Sequence, residues 1–217
     1  MSAIKTDECF SKFRALDKEK QERIINAAMK EFAVGYKNAS TDNIVKEAGI
    51  SKGLLFHYFG TKAQLYNYLV GHAVDTVRRE YSNLSDVVQP DVLKSVWQLS
   101  VLKGELSRRY PAIFDFAANA YVDKTAPDNS SLLTSLGETQ ADIMVQIYAK
   151  ADYSLFREDI DPEKAISILM WTMEGYAHSV VKVYEGEQLG STPRDNYGEY
   201  LKDFKDIVET LRKCFYK

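Results

Sequence analysis

The stretch SKGLLFHYFGTK, residues 51–62, has bulky, aromatic and basic side chains and no carboxylate. It begins with Ser51 and Lys52 and ends with Lys62. No Asp or Glu occurs anywhere between Glu47 and Asp75. Because a carboxylate would repel phosphate, an acid-free segment with lysines is typical of a surface that faces a polyanion. Chance fluctuation of charge along the chain is the alternative explanation.

The distribution of charge along the whole chain points the same way. Residues 1–62 contain eleven Lys or Arg and eight Asp or Glu, a balance of +3. The remaining residues contain seventeen basic and twenty-three acidic side chains, a balance of −6, so the total is −3. An acidic larger part argues against a protein that coats DNA without regard to sequence.

Patterns typical of enzymes do not occur. His57, His72 and His178 lack the spacing of metal ligands, and Cys9 and Cys214 lie near the two ends. There is no H-E-x-x-H, no G-x-S-x-G and no glycine-rich phosphate loop. The sequence therefore predicts no enzymatic activity, no metal site and no cofactor.

The sequence also predicts a cytoplasmic protein. The first ten residues lack the apolar core of a secretory signal, and no run approaches about 20 apolar residues, which membrane passage requires. Two cysteines without a CxxC spacing do not suggest a disulfide framework, which favours a reducing compartment.

Most of the chain has helical periodicity, so we predict an all-α fold. The first eighty residues predict a helix from Asp17 to about Ala33, a short helix capped by Thr41 and a break at Gly49. Ser51 caps a second short helix, and Thr61 opens a long one that ends near Tyr81. Two short helices across a tight turn are the helix-turn-helix arrangement.

The second short helix has more large side chains than one face can bury. Leu55 and Phe59, four residues apart, are predicted to face inward. The side chains then left largely outside are Lys52, Leu54, Phe56 and His57. In a DNA major groove, lysine, histidine and tyrosine would reach phosphates, and apolar groups would touch thymine methyls. The alternative for Phe56 and Tyr58 is packing against the long helix that follows.

Residues 23–69 resemble the TetR family of bacterial transcriptional regulators. The motifs that carry the resemblance are A-x-x-x-F at 28–32, Gly35-Tyr36, Thr41, I-V-x-x-A-G-I-S-K-G at 44–53, H-Y-F at 57–59 and K-x-x-L at 62–65. The resemblance implies an N-terminal three-helix helix-turn-helix domain, residues 1–65, and a C-terminal helical bundle for ligand binding and dimerisation, residues 66–217.

The resemblance also implies which residues contact DNA. Carried over position by position, they are Thr41, Ser51, Lys52, Gly53, Leu54, Phe56, His57, Tyr58 and Lys62. Phe56 stands where the family commonly has tyrosine, and Leu54 where a small or polar residue is common. Both departures shift the expected contacts toward thymine methyls.

The C-terminal part is rich in aromatic residues and methionine at helical spacing. In this family such a bundle holds an effector, so ten residues are candidates for a pocket that takes a small apolar or aromatic ligand. They are Trp97, Phe114, Phe116, Tyr121, Met144, Tyr148, Met170, Trp171, Glu174 and His178. The alternatives are ordinary core packing for the apolar residues and a surface or interface ion pair for Glu174 and His178.

The family resemblance implies a homodimer formed by the last two long helices, about residues 162–185 and 197–215. Such a dimer would bind a palindromic double-stranded DNA operator as a repressor and be released by the effector. The apolar stripe of the last helix is equally compatible with core packing. The alternative functions are a transcriptional activator, a ligand-independent DNA-binding protein of the same fold, an architectural DNA binder and a small-molecule carrier.

Overall fold

The computed structural model describes residues 10–127, 129–186 and 197–217, without the side chains of residues 121–122, 129–130, 177–178 and 180–186. In these ranges the chain is helical and forms no strand. A single antiparallel bridge joins Phe156 and Tyr216. The predicted all-α fold is confirmed.

The helices that precede residue 81 are α1 Ser11–Arg14, α2 Lys18–Phe32, α3 Thr41–Ala48, α4 Lys52–Phe59 and α5 Lys62–Glu80. Those that follow are α6 Val92–Arg109, α7 Pro111–Val122, α8 Asn129–Ala149, α9 Pro162–Gly186 and α10 Tyr197–Phe215. None of them, over its described residues, is long and apolar enough to cross a membrane.

The chain packs into two compact units. The first contains the described residues up to Arg79 together with 112–137, and the second contains 80–111 and the described residues from 138 onward. The described residues of the segment 112–137 therefore belong to the same unit as the helix-turn-helix although they are distant from it in sequence. The functional boundary placed between residues 65 and 66 stays a prediction.

The core of the first unit is built on the apolar stripe of α2. Ile24, Ala28 and Phe32 are fully buried, as their helical spacing predicts. The Oδ1 atom of Asp17 accepts a hydrogen bond from the Lys20 N–H at 2.8 Å and so caps the helix. The predicted cap of α3 is wrong by one residue, because Ser40 accepts the Asn43 N–H and Thr41 is the first helical residue.

The second unit surrounds a core from α6, α8, α9 and α10. Asp91 caps α6 by accepting the Lys94 N–H at 3.0 Å, and it also forms an ion pair with Arg212 at 2.8 Å. The apolar stripe of α10 packs into this core, through Phe204 and Val208 above all. Core packing, the alternative explanation for that stripe, is thus confirmed. The predicted loop at 186–198 lies largely outside the described residues.

Candidate nucleic-acid interface

Helices α3 and α4 form a helix-turn-helix with a three-residue turn. Gly49 has a φ of 66°, in the left-handed region that glycine tolerates best. The Ile50 N–H then donates to the Val45 carbonyl at 3.0 Å. Ser51 Oγ accepts the Leu54 N–H at 3.2 Å, so Ser51 caps α4 as predicted.

Aromatic residues from outside the helix-turn-helix cover the inner face of α4. Phe13 of α1 is fully buried, and its ring centroid lies 4.6 Å from that of Phe59 and 6.1 Å from that of Tyr58. Tyr68 of α5 lies 5.3 Å from Phe13. Tyr58 is only 7% exposed. The burial does not support the predicted DNA contact of Tyr58 and favours the packing alternative, with α1 as the partner.

The outer face of α4 exposes basic, apolar and aromatic side chains to solvent. Lys52, Gly53, Leu54 and His57 are exposed, and Phe56 is half-buried. Leu54 is 38% exposed, so this face presents apolar as well as polar groups. The expected orientation of Lys52, Leu54 and His57 is confirmed, while their contact with DNA stays a prediction.

The two carboxylates of α3 are each paired with a lysine. Asp42 Oδ1 lies 2.9 Å from Lys52 Nζ of α4, and Glu47 Oε1 lies 2.9 Å from Lys30 Nζ of α2. Both pairs are exposed to solvent, where such pairs are weak and exchange readily with other partners. Lys52 can therefore turn from Asp42 to a phosphate without a large loss.

Polar side chains of α2 hold both ends of α3. Glu31 Oε1 accepts hydrogen bonds from the Ser40 N–H at 2.8 Å and from Asn43 Nδ2 at 3.1 Å. Arg23 Nε donates to the Ala48 carbonyl at 3.2 Å, at the other end. These contacts cannot be predicted from the sequence, because nothing in the spacing of α2 shows which polar residues turn toward α3.

Lys62, predicted to bind phosphate, makes internal contacts instead. Its Nζ donates to the Ala39 carbonyl at 2.6 Å and lies 4.9 Å from the centroid of the Tyr36 ring. Thr61 accepts the Gln64 N–H at 3.1 Å, which confirms Thr61 as the cap before α5. In this structure the Lys62 amine secures the segment before α3.

These helices coincide with a known family of sequences. Residues 24–69 match the sequence profile described as bacterial regulatory proteins, tetR family. The chain carries a tetR-family N-terminal domain. No curated protein sequence matches the chain.

Solved structures of transcriptional regulators share the fold over nearly the whole chain. A TetR family transcriptional regulator from Chloroflexus aurantiacus J-10-FL has a TM-score of 0.60 at 18% identity, with 95% of this chain and 97% of that chain covered. The ketosteroid transcriptional regulator KstR2 of Mycobacterium tuberculosis has 0.56 at 17%, with 93% and 97% covered. TylP, a tetR regulator from Streptomyces fradiae, has 0.55 at 16%, with 93% and 88% covered.

Three of the candidate effector residues meet at one cavity of about 360 Å³. Tyr148, Met170 and Trp171 line it. The other lining residues are Tyr153, Glu163, Ile166 and Ser167. Aromatic and thioether groups thus line one side of a space that is open to solvent, with a volume at the lower end of the size range of ligand pockets.

The other candidates lie elsewhere. Phe116 is buried against Tyr66 in the first unit, with ring centroids 5.1 Å apart, and Phe114 is half-buried in the same unit. In the second unit, Met144 packs against the core, Trp97 lines a separate cleft of about 190 Å³, and Glu174 is exposed. The side chains of Tyr121 and His178 lie outside the described residues. Among the described residues, no group of His, Cys, Asp or Glu is arranged to hold a metal ion.

Proposed function

We propose that the protein is a transcriptional regulator that places α4 in the major groove of a specific operator. The observation that carries this proposal is the exposed face of α4, with Lys52, Gly53, Leu54 and His57 presented on a capped helix-turn-helix. The exposed face of α4 has both polar and apolar side chains and no carboxylate. Such a face suits direct contact with base edges.

Each residue of that face has a distinct proposed role. Lys52 at the start of α4 leaves Asp42 for a phosphate, and the Ser51 and Thr41 hydroxyls lie at helix starts that favour phosphate. Gly53 lets the DNA approach the protein backbone closely, because glycine has no side chain. A Cβ at this position would point into open space, 4.0 Å from its nearest protein neighbour. Leu54 and Phe56 contact thymine methyls, and His57 contacts a base or phosphate. Tyr58 and Lys62 have internal roles.

The protein is proposed to act as a homodimer, with α9 as the main interface helix. In the second unit, Trp171 is 69% exposed and Ile168 is 42% exposed on α9, and Val145 of α8 is 65% exposed. Ile168 and Trp171 are three residues apart and so lie on one face of α9, and large apolar groups exposed on one face favour a partner surface. The apolar stripe of α10 packs into the core of the second unit. Of the two helices predicted to form the interface, α9 therefore has the larger proposed part. A symmetric dimer binds a palindrome.

A small apolar or aromatic effector is proposed to bind the cavity at Tyr148, Met170 and Trp171. Release from DNA requires the effector to bind more tightly to the conformation whose helix-turn-helix units do not fit the operator. Repression relieved by the effector is the proposed mode. An activator or a regulator without an effector would share the same DNA-binding face.

A binding titration with the DNA that flanks the protein's own gene tests this proposal. Unrelated duplex is the competitor at about 0.15 M salt, where non-specific contacts are weak. We expect a complex that resists the competitor and protects a palindrome. Lys164→Ala, at an exposed lysine of the second unit, is the control for Lys52→Ala, because both remove one positive charge. Binding no tighter than to random duplex, or equal loss in both variants, would contradict the proposed operator recognition.

A further inference from the structure

We infer that Asp123, which follows α7 and lies outside residues 24–69, is a positioning residue for the helix-turn-helix. Its Oδ2 atom accepts a hydrogen bond from the Tyr36 N–H at 2.7 Å, across 87 positions of sequence. Tyr36 lies in the connection between α2 and α3. The inference rests on the proposed function in that DNA binding is its biological readout, while the contact can be measured without DNA.

The connection between α2 and α3 is fixed at successive backbone atoms. Gly35 turns the chain with a φ of 104°, and Asp123 then holds the Tyr36 N–H. Lys62 holds the Ala39 carbonyl at 2.6 Å, and Glu31 holds the Ser40 N–H at 2.8 Å. Of these three side chains, Asp123 is the one that the tetR-family segment does not contain. The start of α3 is therefore set partly by a residue from the other end of the first unit.

The carboxylate of Asp123 is oriented before it meets Tyr36. Its Oδ1 atom accepts the Thr125 N–H at 2.8 Å and the Thr125 hydroxyl at 2.6 Å, which leaves Oδ2 directed at the connection. Burial alone would raise the pKa of Asp123, but hydrogen bonds from Thr125 and the Tyr36 N–H, with the charge of Lys37, lower it. The group is thus ionised at neutral pH, and hydrogen bonds to an ionised acceptor are the stronger kind.

The position of the connection matters for DNA because α3 follows it directly. Ser40, which caps α3, and Asp42, which pairs with Lys52 of α4, come within six residues of Tyr36. A shift of the connection would move the start of α3, and α4 would move with it because a turn of only three residues joins the two helices. Misplaced groups lose specific contacts while the charge that attracts any DNA remains.

Full-length Asp123→Ala, Asp123→Asn and Thr125→Ala test this inference. For each we would measure hydrogen exchange of the Tyr36 and Asn43 amides, affinity for the operator and affinity for unrelated duplex. Asp123→Ala should accelerate exchange at both amides and weaken operator binding by about tenfold, the loss expected from one charge-assisted hydrogen bond. Affinity for unrelated duplex should be unchanged. Asp123→Asn keeps an acceptor oxygen and should recover most of the loss, and Thr125→Ala should have a small effect because its N–H remains.

Two results would overturn the inference. Unchanged Tyr36 exchange in Asp123→Ala would mean that the hydrogen bond does not form in solution. Faster Tyr36 exchange with wild-type exchange at Asn43 and wild-type operator affinity would mean that the bond forms without positioning α3. If the wild-type protein shows no operator preference, the proposed function fails, but faster exchange at both amides would still establish the positioning role. Should Asp123→Ala not fold, Asp123→Asn decides the matter: its neutral acceptor makes a weaker hydrogen bond, so the Tyr36 and Asn43 amides should exchange faster than in the wild type, and wild-type exchange at both would overturn the inference.

Discussion

At the scale of single residues, Lys52 and Lys62 show that the same type of side chain can have different roles. Lys52 is exposed on α4 and held only by the exposed Asp42, so it is available to phosphate. We expect Lys52→Ala to weaken binding to all duplexes and to lower the slope of log affinity against log salt by about 0.9, the value for one phosphate contact. Titrations at several salt concentrations measure the slope, and a wild-type slope would contradict the assignment.

Lys62 leads to a different expectation. The resemblance implies a phosphate contact, whereas the amine is hydrogen-bonded to Ala39 and lies over the Tyr36 ring. We expect Lys62→Ala to lower the free energy of unfolding by about 1–2 kcal/mol, because it removes one hydrogen bond and the cation–π contacts with Tyr36 and Phe32. The salt slope should remain that of the wild type. A slope lowered as far as in Lys52→Ala would return Lys62 to the phosphate contact.

At the scale of elements, the turn between α3 and α4 depends on the left-handed backbone of Gly49. A Cβ at Gly49 would meet no atom within 4 Å, so the cost of alanine there is conformational rather than steric. We expect Gly49→Ala to destabilise the protein by about 1–2 kcal/mol, and Gly49→Asn by less. Urea unfolding measures both.

Gly53 provides a matched control for that prediction. It lies inside α4, has no positive φ and has open space at its Cβ position. The same change to alanine should therefore stabilise the protein by about 0.5–1 kcal/mol, because it favours the helix. Equal effects of Gly49→Ala and Gly53→Ala would show that the backbone of Gly49 does not have the proposed importance.

The single-turn helix α1 is a second element that stabilises α4, because its Phe13 packs against that helix. Phe13 is fully buried among Tyr58, Phe59 and Tyr68. Phe13→Ala should lower the free energy of unfolding by about 3–5 kcal/mol, the range for truncating a buried phenylalanine. Lys12→Ala, on the exposed side of the same turn, should change it by no more than about 0.5 kcal/mol. A loss below about 1 kcal/mol in Phe13→Ala would indicate that α1 does not stay packed on α4.

The elements also show where sequence reasoning succeeds and where it stops. The caps at Ser51 and Thr61 and the break at Gly49 follow from local chemistry, and the structure has all three. The cap of α3 cannot be placed from local chemistry, because Ser40 and Thr41 are both good capping residues. The hydrogen bond from the Ser40 N–H to Glu31 favours Ser40 as the cap. The burial of Tyr58 cannot be predicted in this way, because its partner Phe13 precedes the segment that resembles a known family. Contacts between residues distant in sequence, such as Asp123 with Tyr36, leave no local pattern.

At the scale of the whole molecule, binding and assembly involve surfaces of opposite character. The N-terminal segment has an excess of basic residues, while the remainder is acidic and exposes apolar residues on α8 and α9. Phosphate attracts the first, and the hydrophobic effect drives association through the second. High salt should therefore weaken operator binding steeply while it leaves the dimer largely intact.

Trp171 allows the assembly to be tested apart from the DNA-binding face. Because its exposed indole is the largest apolar group of the proposed interface, Trp171→Glu should place a charge where the second copy would have to bury it. Sedimentation velocity at micromolar concentration should then show a monomer. The affinity of the Trp171→Glu monomer for an isolated half-site should match that of the wild type. It should not bind the palindrome more tightly than a half-site, because one molecule can no longer bind both half-sites together. Lys213→Gln, an equal charge change at an exposed position of α10, should remain dimeric. A dimeric Trp171→Glu protein would exclude α9 as the interface, and a monomer that still prefers the palindrome would separate dimerisation from operator recognition.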